Sequence, residues 1–549
     1  MKVKRFYDIC TSFDILIRNG TVYDGSGSEP YEADIGITGD RISMISRKSA
    51  TSHCKREPGA GKTIDAEGLS VAPGFIDTHG HSEFTLLADP RAESKISQGI
   101  TSEINGNCGL SAAPLFGEAL RQREADLNEY HIRERWTTFR EYFGLLEKRD
   151  IALNFATLTG HGNLRACAAG YQDRKLSESE QETIYNLLRE SVREGSIGIS
   201  TGLIYPPGIY ADTEELIDLC KASMTCADNG ECIYSTHMRS EGDLLIESIE
   251  ETISIAKESG IRVHISHLKT SGEGNWGKLD DALSKIARAR DEGFRVTFDR
   301  YPYTAASTDL DTVLPAWTYE GGSEREMQRL RQPETQSRIK REILAEHPEE
   351  EYWEKILITS VTNEKNRWME GRNILDIAKR EKCQPVDMLL GILADENLRV
   401  GAIFSSMSKE NLTKILSLPY GMIGTDSSAR SFDGLTRKGK PHPRGFGSFP
   451  RFLGRFVRDI LQIDLSKALR RITLLPALTF GISQRGILRE GAYADIVIFD
   501  SRKIIDKATY EDPFMQPEGM NYVIVNGIPA RWEGQLTGLR SGRVLRNGR

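Results

Sequence analysis

The sequence predicts an α/β protein: a parallel (β/α)8 TIM-like barrel, with an open doubly wound sheet as the alternative, flanked by a small β domain that both ends of the chain build together. Three observations predict this. The middle of the chain alternates short β-branched runs with amphipathic helical stretches, the two termini read as strands joined by tight turns, and histidines fall just after several of the central strands.

At the N-terminal end, the run Phe13-Asp-Ile-Leu-Ile-Arg18 leads into Asn19-Gly20, a pair that tolerates the positive φ of a hairpin turn, and residues 35–45 alternate around Gly39-Asp40. Residues 494–500 and 522–527 repeat that pattern at the other end. The expected division is therefore 1–70 plus 476–549 for the small β domain and 71–475 for the barrel. Barrel strands are expected at 70–77, 100–105, 152–158, 197–201, 232–236, 262–266, 295–299 and 421–425, with helices such as 178–194, 213–229 and 243–259 between them. In the last of these helices Leu245, Ile249, Ile253 and Ala256 follow the spacing of a buried stripe. The charged, helix-prone stretch 304–355 is too long for an ordinary strand-to-helix connection and reads as a lid or insertion. Residues 356–404 stay unassigned.

Composition narrows the function. With 39% hydrophobic and 28% charged residues, and 72 basic against 79 acidic side chains for a net charge of −7, the balance is that of a soluble globular enzyme or binding protein. No Lys/Arg cluster points to nucleic acid, and no apolar run approaches the ~18 residues of a membrane-spanning helix. The first twenty residues interrupt every apolar run with a charge, so they read neither as a secretion signal nor as a transit peptide. Eight scattered cysteines fit a reducing, cytoplasmic setting and not a disulfide scaffold.

The chemistry is expected where the histidines fall. His79 and His81 follow the first strand as Asp77-Thr-His-Gly-His81, His237 follows the fifth, His267 the sixth, and Asp426 the eighth. In a barrel the C-terminal strand ends converge on one mouth, so these residues would meet there, and imidazole with carboxylate is a ligand set that borderline divalent metals prefer. Any one of these histidines can equally be a hydrogen-bonded core residue; together with Asp426, at four separate strand ends, they point to a metal centre. His264, inside the sixth strand, reads as structural, and His161, after the third, as a residue behind the ligands. His53, His131 and His347 lie in polar surroundings and need no special role.

Several motifs together resemble the D-aminoacylase (N-acyl-D-amino-acid deacylase) branch of the amidohydrolase superfamily. They are Ala72-Pro-Gly-Phe-Ile-Asp-Thr-His-Gly-His81, Gly106-Asn-Cys-Gly109, Gly202-Leu-Ile-Tyr-Pro206, Thr236-His-Met-Arg-Ser-Glu241, Ser266-His-Leu-Lys269, Gly424-Thr-Asp426 and Pro441-His-Pro-Arg444. The resemblance spans nearly the whole chain. It implies a (β/α)8 barrel with a flanking β-sandwich formed by both termini. Many dinuclear members of the superfamily carry a carboxylated lysine at the end of strand four, where this chain reads Ile197-Gly-Ile-Ser-Thr-Gly202 without one. In the D-aminoacylase-like branch a cysteine from the second strand replaces it, which lands on Cys108. Cys108, His237 and His267 would then form a tight zinc site with one position open to water, and His79, His81 and Asp426 would border a second, weaker metal position.

The implied reaction is zinc-dependent hydrolysis of the amide of an N-acyl-D-amino acid, with Asp426 as general base and then general acid. The family match assigns Tyr205, Lys269 and Arg444 to the small-molecule substrate. Because the protein is net acidic, capture of the substrate carboxylate falls to such local donors, and Arg444→Ala is expected to raise KM far more than it disturbs metal content. Three other readings compete. A cyclic-amide hydrolase of the hydantoinase or dihydroorotase kind shares the histidines, and a non-catalytic barrel would have lost some of the six candidate ligands. A nucleotide site rests on Gly272-Glu-Gly-Asn-Trp-Gly-Lys278, but Leu279 stands where a phosphate loop needs Ser or Thr.

Overall fold

The computed structural model describes residues 12–48, 59–226 and 231–547. Cys10, His53, Cys54 and the last residues of the helix expected at 213–229 lie outside them. Parallel strands run in chain order around the barrel: Phe75–Asp77, Ile100–Asn105 and Asn154–Thr157 pair in one arc, and Thr159–Gly160, Gly198–Gly202, Ile233–His237, Arg262–Ile265, Val296–Asp299 and Gly421–Met422 in the other. Thr159–Gly160 continues Asn154–Thr157 past Leu158, so the third strand joins the two arcs. The ring closes between its last and first strands, where Gly80 bridges Ser427 in parallel and the Asp426 N–H donates to the His79 carbonyl over 2.8 Å. That closure sets the loops bearing His79 and Asp426 side by side.

The stretch expected as one strand at 70–77 is two. Ser70–Pro73 joins the terminal sheet, Phe75–Asp77 opens the barrel, and Gly74 makes the corner, because a Cβ there would lie 2.1 Å from Thr101 Oγ1. The terminal sheet has nine strands drawn from both ends of the chain, with Phe13–Val22, Tyr31–Thr38 and Ser70–Pro73 beside Ile496–Phe499 and Met520–Val525. Ile17, Ile35, Ile64, Val71, Ile496 and Ile524 fill a core of its own.

The helices between barrel strands follow the expected apolar stripes. Glu178–Glu194 starts at Ser177, whose hydroxyl accepts the Glu180 N–H while Glu180 accepts the Ser177 N–H, and it buries Ile184, Leu188 and Val192. Leu245–Ser259 buries Leu245, Ile249, Ile253 and Ala256 and stops at Gly260, where φ is 75°. Burial of each such aliphatic side chain is worth roughly 1.5–3 kcal/mol. Between the seventh and eighth strands, residues 305–405 form an inserted unit around the antiparallel strands Ala305–Asp309, Gly401–Ser405 and Ile356–Ser360, with a separate core that includes Leu330, Ile339, Ile358, Leu389 and Leu393. Its first strand lies over the barrel mouth: Ser307 and Thr308 bond to Arg444 and Tyr205. Among the described residues no helix is long and apolar enough to cross a membrane.

Candidate metal centre

At the mouth, Cys108 Sγ lies 3.3 Å from His79 Nε2, 3.7 Å from His237 Nδ1 and 3.7 Å from His267 Nε2. Asp426 Oδ1 lies 3.6 Å from His79 Nε2 and 3.3 Å from His81 Nε2. All six residues named as candidate ligands from the sequence are thus brought to one place. Donor atoms of His79, Cys108 and His267 fall within 4.8 Å of one another, as do those of His79, His81 and Asp426, and those of His237, Glu241 and His267. The grouping differs in two respects from that expected: His79 takes the place of His237 beside Cys108 and His267, so it is common to both positions, and His237 groups with Glu241 and His267.

Thiolate, imidazole and carboxylate, brought together here within 3.7 Å of Cys108 Sγ or of one another, are the donor set of zinc. The chain therefore fits such an ion. Burial alone would push the Cys108 thiol up, but the charge of His79 and the hydrogen bonds of His237 and His267 outweigh it and hold the thiol well below its ordinary value. Burial acts the same way on Asp426, and Arg444 and His79 overcome it to keep that carboxyl well below the usual range.

The backbone is bent to aim these donors. Cys108, His267 and Asp426 all lie in the left-handed region, at φ of 54°, 37° and 47°. Conformations of that kind cost roughly 1–3 kcal/mol each in a non-glycine residue and persist where the surroundings enforce them. Around Cys108 the enforcement comes from Gly106 and Gly109, both at φ 75°; a Cβ on Gly106 would lie 2.1 Å from the Leu158 carbonyl oxygen.

Two carboxylates that the sequence reading left out of the site stand behind the imidazoles. Asp299, buried at the end of the seventh strand, accepts the His267 N–H at Oδ1 over 2.6 Å; its Oδ2 takes Thr78 Oγ1 over 3.0 Å and lies 3.4 Å from His79 Nδ1. Glu241 Oε1 is 2.8 Å from His267 Nδ1 and Oε2 is 3.5 Å from His237 Nε2. A carboxylate on the far nitrogen fixes the tautomer and aim of a ligating imidazole. The rule that found Asp426, a carboxylate at a strand end, would also have found Asp299. Glu241 closes the motif Thr236-His-Met-Arg-Ser-Glu241, where the sequence alone assigns it no role. His264, read as structural, bonds Asp299 Oδ2 over 2.9 Å and so belongs to this outer ring. His161 turns instead to Glu215, 2.8 Å away, which also holds Arg165.

The residues assigned to substrate are present but already engaged. Arg444 Nη1 is 2.8 Å from Asp426 Oδ2, and Nη2 donates to the Ser307 carbonyl over 3.1 Å. Lys269 Nζ donates to Glu241 and lies 2.8 Å from His267 Nδ1. Tyr205, half-buried, sets its ring edge-on to His237 at 5.2 Å and its hydroxyl 3.2 Å from Thr308 Oγ1. A further residue, Tyr301, has a buried hydroxyl without a partner, and the Arg444 guanidinium lies 4.5 Å from its ring centre. The segment Gly272–Lys278 forms no phosphate cradle: Glu273–Lys278 is a 3-10 turn, Lys278 donates to the Asp243 carbonyl over 2.7 Å, and Asn275 to Asp243 Oδ1 over 2.9 Å.

A model described as an amidohydrolase family matches residues 62–300 and 433–530. A D-aminoacylase from Alcaligenes xylosoxydans xylosoxydans is 36% identical over 97% of both chains. The crystal structure of the N-acyl-D-glutamate deacylase from Bordetella bronchiseptica, complexed with zinc and a phosphonate inhibitor that mimics the tetrahedral intermediate, superposes with a TM-score of 0.80 at 32% identity, covering 98% of this chain and 100% of the other. A D-hydantoinase structure, at 15% identity and a TM-score of 0.52 over 97% and 99% of the two chains, shares the fold alone.

Proposed function

Since the chain belongs to the amidohydrolase family, in its D-aminoacylase branch, we propose that it hydrolyses the amide bond of N-acyl-D-amino acids to a carboxylate and a free D-amino acid. The observation that carries this reading is Cys108 Sγ standing among three imidazole nitrogens, at a mouth whose fourth strand, Gly198–Gly202, contains no lysine. His79, Cys108, His237 and His267 would hold a zinc ion, and His79, His81 and Asp426 would border a second position. Zinc bound there supplies Lewis-acid polarisation of the amide carbonyl and a water of lowered pKa.

The chain's own residues do the rest. Arg444 occupies Asp426 Oδ2, which leaves Oδ1, on the metal side, to take a proton from the attacking water and return it to the departing nitrogen. Lys269, Arg444 and Tyr205 are the substrate-binding residues, with Tyr301 added to them; a carboxylate entering beside Tyr301 meets two fixed cations whose partners, Glu241 and Asp426, keep them from turning away. The inserted strand Ala305–Asp309 covers this side and restricts water. The six cysteines among the described residues are all free, which supports a cytoplasmic setting.

The test is a hydrolysis screen of N-acetylated D- and L-amino acids alongside hydantoin and dihydroorotate, with zinc measured on the same sample. Turnover of linear D-substrates by zinc-containing protein is the expected result. Turnover of cyclic substrates only, or of L-isomers only, would overturn the reading.

A further inference from the structure

Lys95 is fully buried, and its ammonium group lies 2.7 Å from Asp77 Oδ2, 2.7 Å from Glu103 Oε1, 2.6 Å from Thr425 Oγ1 and 2.8 Å from the Ser427 carbonyl oxygen. None of these partners is a candidate ligand, but Asp77, Thr425 and Ser427 each lie within two residues of one. Asp77 precedes His79 and His81 and accepts the His79 N–H at Oδ1 over 3.1 Å, together with the Thr425 N–H over 2.8 Å. Thr425 and Ser427 bracket Asp426. Glu103 lies on the second strand, five residues before Cys108, and accepts the Ser82 hydroxyl over 2.8 Å; that hydroxyl in turn accepts the Ala429 N–H over 2.7 Å. One ammonium therefore ties together the first, second and eighth barrel strands at the points where the chain leaves the sheet to present its donors.

We infer that Lys95 is a positioning residue for the metal centre: through Asp77, Glu103, Thr425 and Ser427 it fixes the mutual placement of His79, His81, Cys108 and Asp426. Stability alone is a weak account of it. Burying a lysine with its partners carries a large desolvation penalty, and an apolar cluster of similar volume is commonly as stable or more so. What apolar packing cannot supply is a rigid polar junction between three strands that must hold donor atoms to a fraction of an ångström. The inference rests on reading the site as a zinc centre.

The test compares Lys95→Met, Thr425→Val and Thr425→Ser with the wild-type holoenzyme, measuring zinc affinity against a competing chelator as well as steady-state kinetics. Lys95→Met is expected to weaken zinc binding by roughly 10–100-fold and to lower kcat by about tenfold or more, with KM within about twofold because Lys269, Arg444 and Tyr205 are untouched. Thr425→Val removes the hydroxyl that faces Lys95 and donates to Asp77 Oδ2 over 2.7 Å, and should reproduce the loss in weaker form, while Thr425→Ser, which keeps the hydroxyl, should stay within about twofold of wild type. If Lys95→Met fails to fold, the two Thr425 variants decide. Equal zinc affinity and equal kcat in Thr425→Val and Thr425→Ser would overturn the role of Lys95, as would a folded Lys95→Met with wild-type zinc affinity. A wild-type protein that binds no zinc would overturn the metal reading itself and this inference with it.

Discussion

Arg444 Nη1 and Asp426 Oδ2 lie 2.8 Å apart, so the cation assigned to the substrate and the carboxylate assigned to the proton hold each other in place. The sequence alone suggested that loss of Arg444 would act on KM and little else. The ion pair changes that expectation. Arg444→Ala should raise KM and also lower kcat, because Asp426 Oδ2, relieved of its partner, is free to rotate toward the metal side. Truncating one member of a buried charge pair costs about 2–5 kcal/mol, so kcat/KM should fall by roughly 30-fold or more. Steady-state kinetics on one N-acetyl-D-amino acid separates the outcomes: a rise in KM with unchanged kcat would show that the pair opens before catalysis.

Cys108 gives the sharpest test of the donor set. With three imidazole nitrogens within 3.7 Å of its sulfur, Cys108→Ala removes the one donor that all three share. Zinc content of purified protein should fall below one equivalent and activity by at least about 100-fold, while the circular dichroism of the barrel stays unchanged. Full zinc and full activity in the variant would refute the ligand role. Cys220, equally buried but with its thiol pushed up by burial out of the ordinary range, is the control: Cys220→Ala should leave zinc alone.

Asp299→Asn keeps the size of the side chain but puts an amide where one carboxylate serves His264, Thr78 and the His267 N–H and faces His79. Zinc affinity should drop by about 10–100-fold, as for other carboxylates behind ligating histidines. Competition with a chromogenic chelator measures it, and an affinity equal to wild type would reduce Asp299 to a packing residue.

These residues also mark how far the sequence could be read. The six candidate ligands were legible because the barrel makes strand ends converge, so order along the chain predicts proximity in space. Asp299 obeys the same rule, but its role lies in hydrogen bonds to His264 and to the His267 N–H on the neighbouring strand, and a hydrogen bond between strands leaves no spacing to recognise. Lys95 was hidden for a different reason: on a short helix, Glu93–Ile96, a lysine reads as solvated, and only the tertiary fold turns it inward. The split of 70–77 at Gly74 depended on a contact with Thr101 that no local pattern encodes. Residues 356–404 were illegible because they complete the core of the inserted unit with elements from 305–355, so neither half shows a face with an obvious partner.

That inserted unit supplies a prediction independent of the metal. Glu326 is buried on the helix Ser323–Arg331 with Oε1 unpartnered, and burial together with the nearby Asp311 pushes its carboxyl up to about 9; burial and Asp309 push Asp311 up to about 8. In the unfolded chain both ionise from about pH 4 upward. Folding of this unit therefore takes up protons, so the contribution of these carboxyls is fully present below about pH 4 and is lost progressively as the pH rises through the folded values, to about 9. Amide exchange in residues 323–331 should accordingly be better protected, after correction for the intrinsic pH dependence of exchange, at pH 5 than at pH 9. Glu326→Gln removes one of the two charges that develop, so it should flatten this dependence, restore protection at pH 9 and raise the transition temperature there. Protection that rises with pH in the wild type, or a Gln variant with an unchanged profile, would show that Glu326 is already ionised in the folded protein.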